Sequence, residues 1–217
     1  MSIEVEVAGQ HFRLYPQRAV LWIDSSCLLL SDLHLGKADT LRRHGIAVPQ
    51  AVQAADLQRL DQVLRLSQPK RCVVLGDFLH GATYAVETLE AWRALVAAHP
   101  DTAFELVLGN HDRWMQGSAW QLQRVQTSLQ IGKVLLSHEP EPRAALEATG
   151  ALLNIHGHIH PAWRLAGWHE KLPALVYAQP RLILPAFSEF TAGVVQQLAQ
   201  EPTWVFVSQE NLVVRVN

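Results

Sequence analysis

The stretch Cys72–His80 reads Cys-Val-Val-Leu-Gly-Asp-Phe-Leu-His, and it decides the fold predicted for the whole chain. Its first four residues are apolar and rich in β-branched side chains, and Gly76 bounds them, which predicts a fully buried parallel strand. Asp77 then lies at the carboxyl end of that strand, the edge of an open α/β sheet where ligands bind. By itself, such a carboxylate could equally cap a following helix.

Composition limits the classes of protein to which the chain can belong. Its 217 residues are 49% hydrophobic, which predicts one domain over residues 1–217 with an ample core. The formal net charge of -2 and the pI of about 6.6 give no electrostatic indication of nucleic-acid binding. The chain starts without the features of a signal peptide, and no apolar run approaches the ~18 residues of a membrane span. We therefore expect a cytoplasmic protein without a membrane partner.

The residue pattern outside the Cys72 stretch predicts hairpins and helices. Alternating apolar and charged residues over Ile3–Val7 and His11–Tyr15 predict an antiparallel hairpin, and Gln209-Glu210-Asn211 predicts a turn between two strands near the end. Helical spacing predicts helices over Gln50–Leu66 and Val86–Ala98. The apolar face predicted for the first helix consists of Ala51, Ala54, Ala55, Leu57, Leu60, Val63 and Leu64.

Cys27 and Cys72 are the two cysteines, and both lie in apolar runs. This position favours buried free thiols, which fit a reducing cytosol. A single disulfide between the two residues stays open on the sequence alone.

Five apolar runs predict buried strands, and each is followed by a loop that carries Asp, His or Asn. The runs are Cys27–Leu30, Cys72–Leu75, Phe104–Leu108, Lys133–Leu136 and Leu152–Ile155. In a mostly parallel sheet the carboxyl ends lie along one edge, so we expect the polar side chains of these loops to converge. The candidate metal ligands are Asp32, His34, Asp77, Asn110, His138, His158 and His160.

The candidate ligands are carboxylate, imidazole and carboxamide groups, with no thiolate among them. Such a set suits Mn, Fe or Zn, and its imidazoles argue against Mg or Ca. Seven side chains are too many for one ion, so the set predicts two ions that share Asp77, whose oxygens can bridge metals ~3.5–4 Å apart. Each loop alone is compatible with an ordinary turn; five such loops in order at strand ends indicate a metal centre.

These motifs resemble the motif set of the calcineurin-like metallophosphoesterases, and the resemblance spans residues 32–160. They are Asp32-x-His34, Gly76-Asp77, Gly109-Asn110-His111-Asp112, His138 and Gly157-His158-x-His160. The resemblance implies an α/β fold, a four-layer sandwich of two mixed β-sheets flanked by helices. The strands after His160 and the N-terminal hairpins would form the second sheet. The implied first metal site is Asp32, His34, Asp77 and His160, and the implied second is Asp77, Asn110, His138 and His158.

The same resemblance implies that phosphoesters are hydrolysed. A hydroxide between the two cations would attack phosphorus, because metal coordination lowers the pKa of water from 15.7 toward ~7. We expect His111 to lie over the metals and to protonate or stabilise the leaving oxygen, and Asp112 to orient its ring. His80 occupies a place where many relatives carry an acidic residue, and a contact with substrate phosphate and a structural role both stay open. Arg113 and Trp114 directly follow Asp112. A contact with the substrate and a solvated position both stay open for these two side chains.

Further segments narrow the resemblance to a bacterial subgroup described as ligase-associated DNA damage response endonucleases. They are Pro16-Gln17-Arg18-Ala19, Ser31 to Lys37, Ser137-His138-Glu139-Pro140 and Leu184 to Thr191. The subgroup implies a Mn-dependent phosphodiesterase or endonuclease that acts on DNA in association with a DNA ligase or repair proteins. Three alternatives stay open: a phosphoesterase for a nucleotide or another small molecule, a lipid-linked pyrophosphatase relative, and a non-catalytic scaffold. Exposed sheet edges leave room for a homodimer.

Overall fold

The structure is a computed structural model that describes residues 1–49, 51–115, 117–165, 167–191, 193–195, 204–209 and 212–216. The helices are α1 (Lys37–Arg43), α2 (Ala51–Ser67), α3 (Val86–Ala98) and α4 (Arg143–Thr149), and Ile23–Ser25 forms one turn of 3-10 helix. The strands in the first half are β1 (Ile3–Val7), β2 (Gln10–Tyr15), β3 (Ala19–Trp22), β4 (Cys27–Leu30), β5 (Arg71–Leu75), β6 (Ala103–Val107), β7 (Arg124–Gln126) and β8 (Leu129–Ile131). The remaining strands are β9 (Val134–Leu136), β10 (Leu153–His156), β11 (Pro161–Trp163), β12 (Leu172–Ala178), β13 (Arg181–Ile183), β14 (Val194–Val195), β15 (Trp204–Gln209) and β16 (Leu212–Arg215).

The first sheet has the strand order β1-β2-β3-β4-β5-β6-β7. Strands β1 to β4 are antiparallel, and β4 to β7 are parallel to one another. The parallel strands are continuous apolar runs because both of their faces are covered. Leu28 and Leu30 point to the helices on one face, whereas Leu29 points to the second sheet.

The N-terminal hairpins lie in the first sheet, so their predicted place in the second sheet is wrong. Val20 pairs with Leu29, and Trp22 pairs with Cys27, across the tight turn at Ile23–Ser25. This short antiparallel connection joins the hairpins to β4, the first of the parallel strands, and so places them in the same sheet.

The second sheet contains, within the described residues, the order β14-β11-β12-β13-β10-β9-β8, with β15 on β12 and β16 on β15. Strand β10 lies parallel to both β9 and β13. The five ligand-bearing strands are therefore divided: β4, β5 and β6 belong to the first sheet, and β9 and β10 to the second. The expected single edge is corrected to a joint edge, at which the carboxyl ends of both sheets meet.

Hydrophobic clusters define the layers of the fold. One core lies between the two sheets, where Leu29 and Val73 of the first sheet pack with Ile155 and Leu182 of the second. A second core lies between the first sheet and helices α2 and α3, with Trp92 at its centre. Leu146 of α4 packs on Leu135 of β9 across the outer face of the second sheet. The predicted sandwich of two mixed sheets flanked by helices is confirmed.

Helix α2 buries a different face from the one predicted. Leu57, Leu60, Val63 and Leu64 are buried as expected, but Ala54 and Ala55 are exposed, and the carboxylate of Asp56 is buried instead. Polar partners in another segment account for this exchange, because a carboxylate enters a protein interior only when it is paired and hydrogen-bonded. The predicted start at Gln50 lies outside the described residues.

Other predictions on local structure are confirmed. Strand β15 pairs antiparallel with β16, with Phe206 opposite Arg215, so the last two strands form a hairpin, although Glu210 and Asn211 of its turn lie outside the described residues. Cys27 and Cys72 are buried free thiols. None of the helices in the described ranges combines the length and apolar character needed to span a bilayer.

Candidate metal centre

Two loops of the first sheet place Asp32 and Asp77 side by side. Asp32 follows β4 and Asp77 follows β5, and parallel pairing continues beyond the strands, since Asp32 N donates to Gly76 O (3.1 Å) and His34 N to Asp77 O (2.8 Å). The two carboxylates are nearly inaccessible, with 0% and 3% of their surface exposed. Both therefore lie in the interior, at the joint edge of the sheets.

Five of the candidate ligands have a left-handed backbone conformation. Their φ angles are 57° for Asp32, 49° for His34, 51° for Asp77, 65° for His158 and 50° for His160. For a residue with a Cβ atom, this conformation costs roughly 1–2 kcal/mol. Such strained residues cluster at functional sites, where the surrounding structure forces the conformation. The strained backbone thus indicates that these five residues belong to a functional site.

A first group of donors consists of Asp32, His34 and His160, whose ligand atoms lie within 4.8 Å of one another. Oδ2 of Asp32 accepts hydrogen bonds from the Ser31 hydroxyl (2.6 Å) and from the backbone N–H of His158 (3.2 Å). Oδ1 lies 2.9 Å from Nε2 of His160, but neither atom has a partner in hydrogen-bond geometry. Buried polar atoms left in this way cost free energy, and a shared cation would satisfy both.

The second group of donors consists of Asp32, Asp77 and His138. Nδ1 of His138 lies 2.9 Å from the carbonyl oxygen of Leu75, which can only accept, so Nδ1 carries the hydrogen and Nε2 a lone pair. That lone pair lies 3.1 Å from Oδ1 of Asn110 and 3.4 Å from Oδ1 of Asp77, which are both acceptors. Acceptors facing one another repel. A cation between them would remove the repulsion, and this imidazole tautomer is the one that binds metal.

The structure brings all seven predicted ligands together. Contacts of 3.8 Å or less connect their side chains in two sets: His160 with Asp32, and Asp77 with His34 and with His138, which also contacts Asn110 and His158. The hydrogen bond from the His158 N–H to Asp32 (3.2 Å) joins the two sets. Asp32 belongs to both donor groups, whereas the sequence predicts Asp77 as the shared carboxylate. Nε2 of His34 lies 3.8 Å from Oδ2 of Asp77, so Asp77 also borders the first group.

The protonation states suit metal binding. Burial lowers the pKa of His34 to about 3, although the charge of Asp32 partly opposes this shift. Burial alone would raise the pKa of Asp32, but the contacts with His160 and Ser31 lower it overall. At neutral pH the site therefore offers an ionised carboxylate and a neutral imidazole, the forms that coordinate divalent ions.

Asp112 does not orient the ring of His111, which corrects the sequence-based expectation. Its carboxylate is buried and accepts backbone N–H groups of Gly109 (2.9 Å), Leu79 (3.0 Å) and Phe78 (3.3 Å). Burial raises its pKa, and these N–H donors partly offset that shift. Asp112 thus joins the Gly109 loop to the Asp77 loop, because its carboxylate accepts N–H groups from both loops.

The ring of His111 is held by His80. Nδ1 of His111 lies 2.9 Å from the His80 carbonyl oxygen, and the two rings stack with centroids 5.3 Å apart and planes inclined by 17°. Burial lowers the pKa of His80 to about 4, and the neighbouring Lys37 and His111 add to this effect. His156 is fully buried, and its Nδ1 lies 3.0 Å from the Gly157 carbonyl oxygen.

The family comparison agrees with this geometry. The model of the calcineurin-like phosphoesterase family matches residues 26–169. This chain belongs to the calcineurin-like phosphoesterases. It is a metal-dependent phosphoesterase, and the two donor groups described above are its candidate metal-binding residues.

Several solved structures are similar to this chain. A nuclease, MPE, from Pseudomonas putida is 29% identical to this phosphoesterase, with a TM-score of 0.81 over 96% of this chain and 97% of that one. A protein of unknown function from Aquifex aeolicus is 24% identical over 65% of this chain and 81% of its own (TM-score 0.46). The phosphoesterase Yfce from E. coli is 14% identical over 88% of this chain and 97% of its own (TM-score 0.45). No curated protein matches the chain.

Several residues that shape the phosphoesterase site were not assigned a role from the sequence. They are Ser31, whose hydroxyl holds Asp32; Leu75, whose carbonyl sets the tautomer of His138; and Gly157, which lies against Ser31. A side-chain pattern contains no signal for a backbone carbonyl. Glycine beside a ligand motif is a usable signal, because it marks a close approach that a Cβ atom would block.

We expect Gly157→Ala to weaken the site by steric overlap. A Cβ atom there would lie 1.6 Å from Oγ of Ser31 and 2.6 Å from Oδ2 of Asp32. Overpacking of this kind costs about 1–3 kcal/mol of folding stability, and here it also displaces a candidate ligand. The control is Gly81→Ala, because a Cβ atom at position 81 meets nothing within 4 Å. Thermal unfolding should show a loss of stability, and titration calorimetry a loss of Mn²⁺ affinity, for Gly157→Ala but not for Gly81→Ala. Normal Mn²⁺ binding by Gly157→Ala would contradict the prediction.

Proposed function

We propose that this phosphoesterase hydrolyses phosphodiester bonds of DNA with two divalent ions, of which Mn²⁺ is the best candidate and Fe or Zn the alternatives. The observation that carries the proposal is the pair of donor groups that share the buried Asp32. The ligands would be Asp32, His34, Asp77, Asn110, His138, His158 and His160. Bound ions of this kind lower the pKa of water and neutralise charge on phosphate oxygens.

His111 is the residue proposed to serve the leaving group. Its Nδ1 carries a hydrogen because it faces the His80 carbonyl oxygen, so Nε2 is the atom free to exchange a proton with the substrate. That Nε2 lies 4.0 Å from Oδ2 of Asp77, and the side chain is 38% exposed. A protonated His111 at the border between donors and solvent would donate its Nε2 proton to the departing oxygen.

The site is open toward solvent, which favours a long substrate over an enclosed small molecule. Asn110 and His158 are exposed, although both belong to the contact chain of candidate ligands. Trp114 follows on the same loop with 73% of its surface exposed, and Arg113 beside it is exposed as well. An exposed aromatic ring beside a cation offers a stacking surface for a base. The resemblance to the Pseudomonas putida nuclease also supports DNA as the substrate.

The place of this enzyme in the cell is a further part of the proposal. A role in DNA repair, in the cytoplasm and beside a DNA ligase, has its support in the resemblance of segments such as residues 184–191 to the repair-associated subgroup. A phosphoesterase for nucleotides, and a scaffold without catalysis, are the alternatives that the substrate experiment separates.

The substrate experiment uses protein stripped of metal with a chelator and reloaded. We expect hydrolysis of bis(p-nitrophenyl) phosphate and cleavage of single-stranded oligonucleotides with Mn²⁺, and neither reaction without metal, because the candidate ligands supply no nucleophile of their own. Nucleoside monophosphates and cyclic nucleotides are assayed in parallel. Hydrolysis of these small molecules without oligonucleotide cleavage would point to the small-molecule alternative. Complete inactivity with every phosphoester would favour the scaffold.

The role of His111 is tested with His111→Ala on two substrates. We expect both ions to remain bound, because no donor of either group is removed, and cleavage of DNA to fall by roughly 10²–10⁴-fold, the usual contribution of a general acid. The rate with bis(p-nitrophenyl) phosphate should change much less, because nitrophenolate leaves as a stable anion without a proton. Equal losses on both substrates, or unchanged DNA cleavage, would remove His111 from the protonation step.

A role of Trp114 in base stacking is tested with Trp114→Ala and Trp114→Phe. Stacking on an aromatic side chain contributes about 1–3 kcal/mol per base, so we expect the alanine variant to raise KM for oligonucleotides by roughly 5-fold or more. The phenylalanine variant should restore most of the affinity, and bis(p-nitrophenyl) phosphate should be hydrolysed normally by both. An abasic oligonucleotide should be bound equally by wild type and by Trp114→Ala. Unchanged KM on normal DNA would count against the stacking surface.

A further inference from the structure

One segment connects the two halves of the metal centre. Residues 184–189, here termed the bridging segment, follow β13 and run from the second sheet to the first. Its backbone N–H groups donate to carbonyl oxygens on both sides: Leu184 to His156 (2.8 Å), Phe187 to Ser31 (2.8 Å) and Ser188 to Asp32 (3.1 Å). The bridging segment thus bonds directly to a candidate ligand of one sheet and to the strand that leads into His158 in the other.

Helix α2 holds the bridging segment through Asp56 and Arg59. Nη2 of Arg59 donates to the Phe187 carbonyl and to Oδ1 of Asp56 (2.6 Å). The same guanidinium lies 4.7 Å from the centroid of the Phe187 ring. Asp56 in turn accepts the Ser188 hydroxyl (3.1 Å) and the N–H of Glu189 (3.2 Å). Backbone and side chains of the segment are therefore bound to one turn of α2.

The charges around this contact are largely buried. Asp56 is 2% exposed. Burial raises the pKa of its carboxyl group, and the charge of Arg59 partly opposes this shift. Oε1 of Glu189 accepts from Nη1 of Arg59 (2.6 Å) and from Nη2 of Arg18 (2.8 Å), so the turn after β2 is tied into the same cluster. Buried ion pairs add little net stability, because desolvation offsets their attraction, and their best-attested use is to select one arrangement.

We propose that the Asp56–Arg59 pair is a positioning device, which keeps Asp32 and the His158 loop at the spacing that divalent ions require. This inference rests on the proposed two-metal function. The chain of contacts runs from Arg59 through the Phe187 carbonyl to the adjacent N–H groups that hold Ser31 and Asp32. Without Arg59, that carbonyl keeps only the long hydrogen bond from Nη1 of Arg18 (3.4 Å), and the buried Asp56 loses its adjacent cation. The bridging segment is then free to shift at the metal centre.

The experiment compares Arg59→Met with a matched control, Arg71→Met. Arg71, in the first sheet, also forms a well-made ion pair, with two hydrogen bonds of 2.8 Å to the buried Glu105, but it lies at the start of β5, the end opposite Asp77. Thermal unfolding measures the general cost of each change. Titration calorimetry with Mn²⁺ on metal-stripped protein measures the affinity of the metal centre without any assay of turnover.

We expect Arg59→Met to weaken Mn²⁺ binding by about tenfold or more, the usual effect of removing a group that orients a ligand. Arg71→Met should lower thermal stability by a similar amount and leave Mn²⁺ affinity within about twofold. Unchanged affinity in Arg59→Met, or an equal loss in both variants, would overturn the inference. A wild-type chain that takes up none of Mn²⁺, Fe²⁺ and Zn²⁺ would refute the proposed function itself, and this inference with it.

Two milder variants extend the test if Arg59→Met does not fold. Ser188→Ala removes the hydroxyl that donates to Asp56 (3.1 Å) and accepts the N–H of Phe190 (3.2 Å), and we expect a smaller but measurable loss of Mn²⁺ affinity. Arg59→Lys keeps the charge but lacks the planar fork that reaches Asp56, Phe187 and Glu189 together. We therefore expect its Mn²⁺ affinity to fall below that of the wild type as well. Wild-type affinity in both variants would contradict a positioning role.

Discussion

The crowding of acceptor atoms at the joint edge of the two sheets is the constraint on which the rest of the structure depends. Asp32 and Asp77 are buried carboxylates, and His138 directs a ring lone pair toward an oxygen of Asp77. Uncompensated burial of such groups costs several kcal/mol, and the left-handed backbone at the ligands adds to the cost. Divalent ions compensate for the buried charge, so the strained loops are consistent with a metal-binding role.

The side chains that would bind the ions are oriented by other groups of the protein. Backbone carbonyl oxygens of Leu75 and His80 set the ring orientations of His138 and His111. The carboxylate of Asp112 joins two loops through their N–H groups, and glycine at position 157 lets the third loop approach. Such contacts leave the candidate metal ligands with little rotational freedom, which is what a preorganised catalytic site requires.

The acidic composition of the chain has a consequence for a DNA substrate. With a formal net charge of -2, the protein has no general attraction for phosphate backbones, so affinity must arise locally. Bound cations, exposed Arg113 and the ring of Trp114 would supply that local attraction.

The sequence alone determined the five ligand-bearing strands, helices α2 and α3, and the polar loops that follow those strands, because buried parallel strands are continuous apolar runs and polar residues at their ends are a local pattern. It also located the seven candidate ligands, since each lies directly after such a run. Only the tertiary structure decided that the N-terminal hairpins extend the first sheet, that Asp56 rather than Ala54 is buried, and that Asp112 bonds to backbone. Those outcomes depend on partners far away in sequence, and no pattern within a short window contains the identity of a distant backbone donor or of a buried counter-ion.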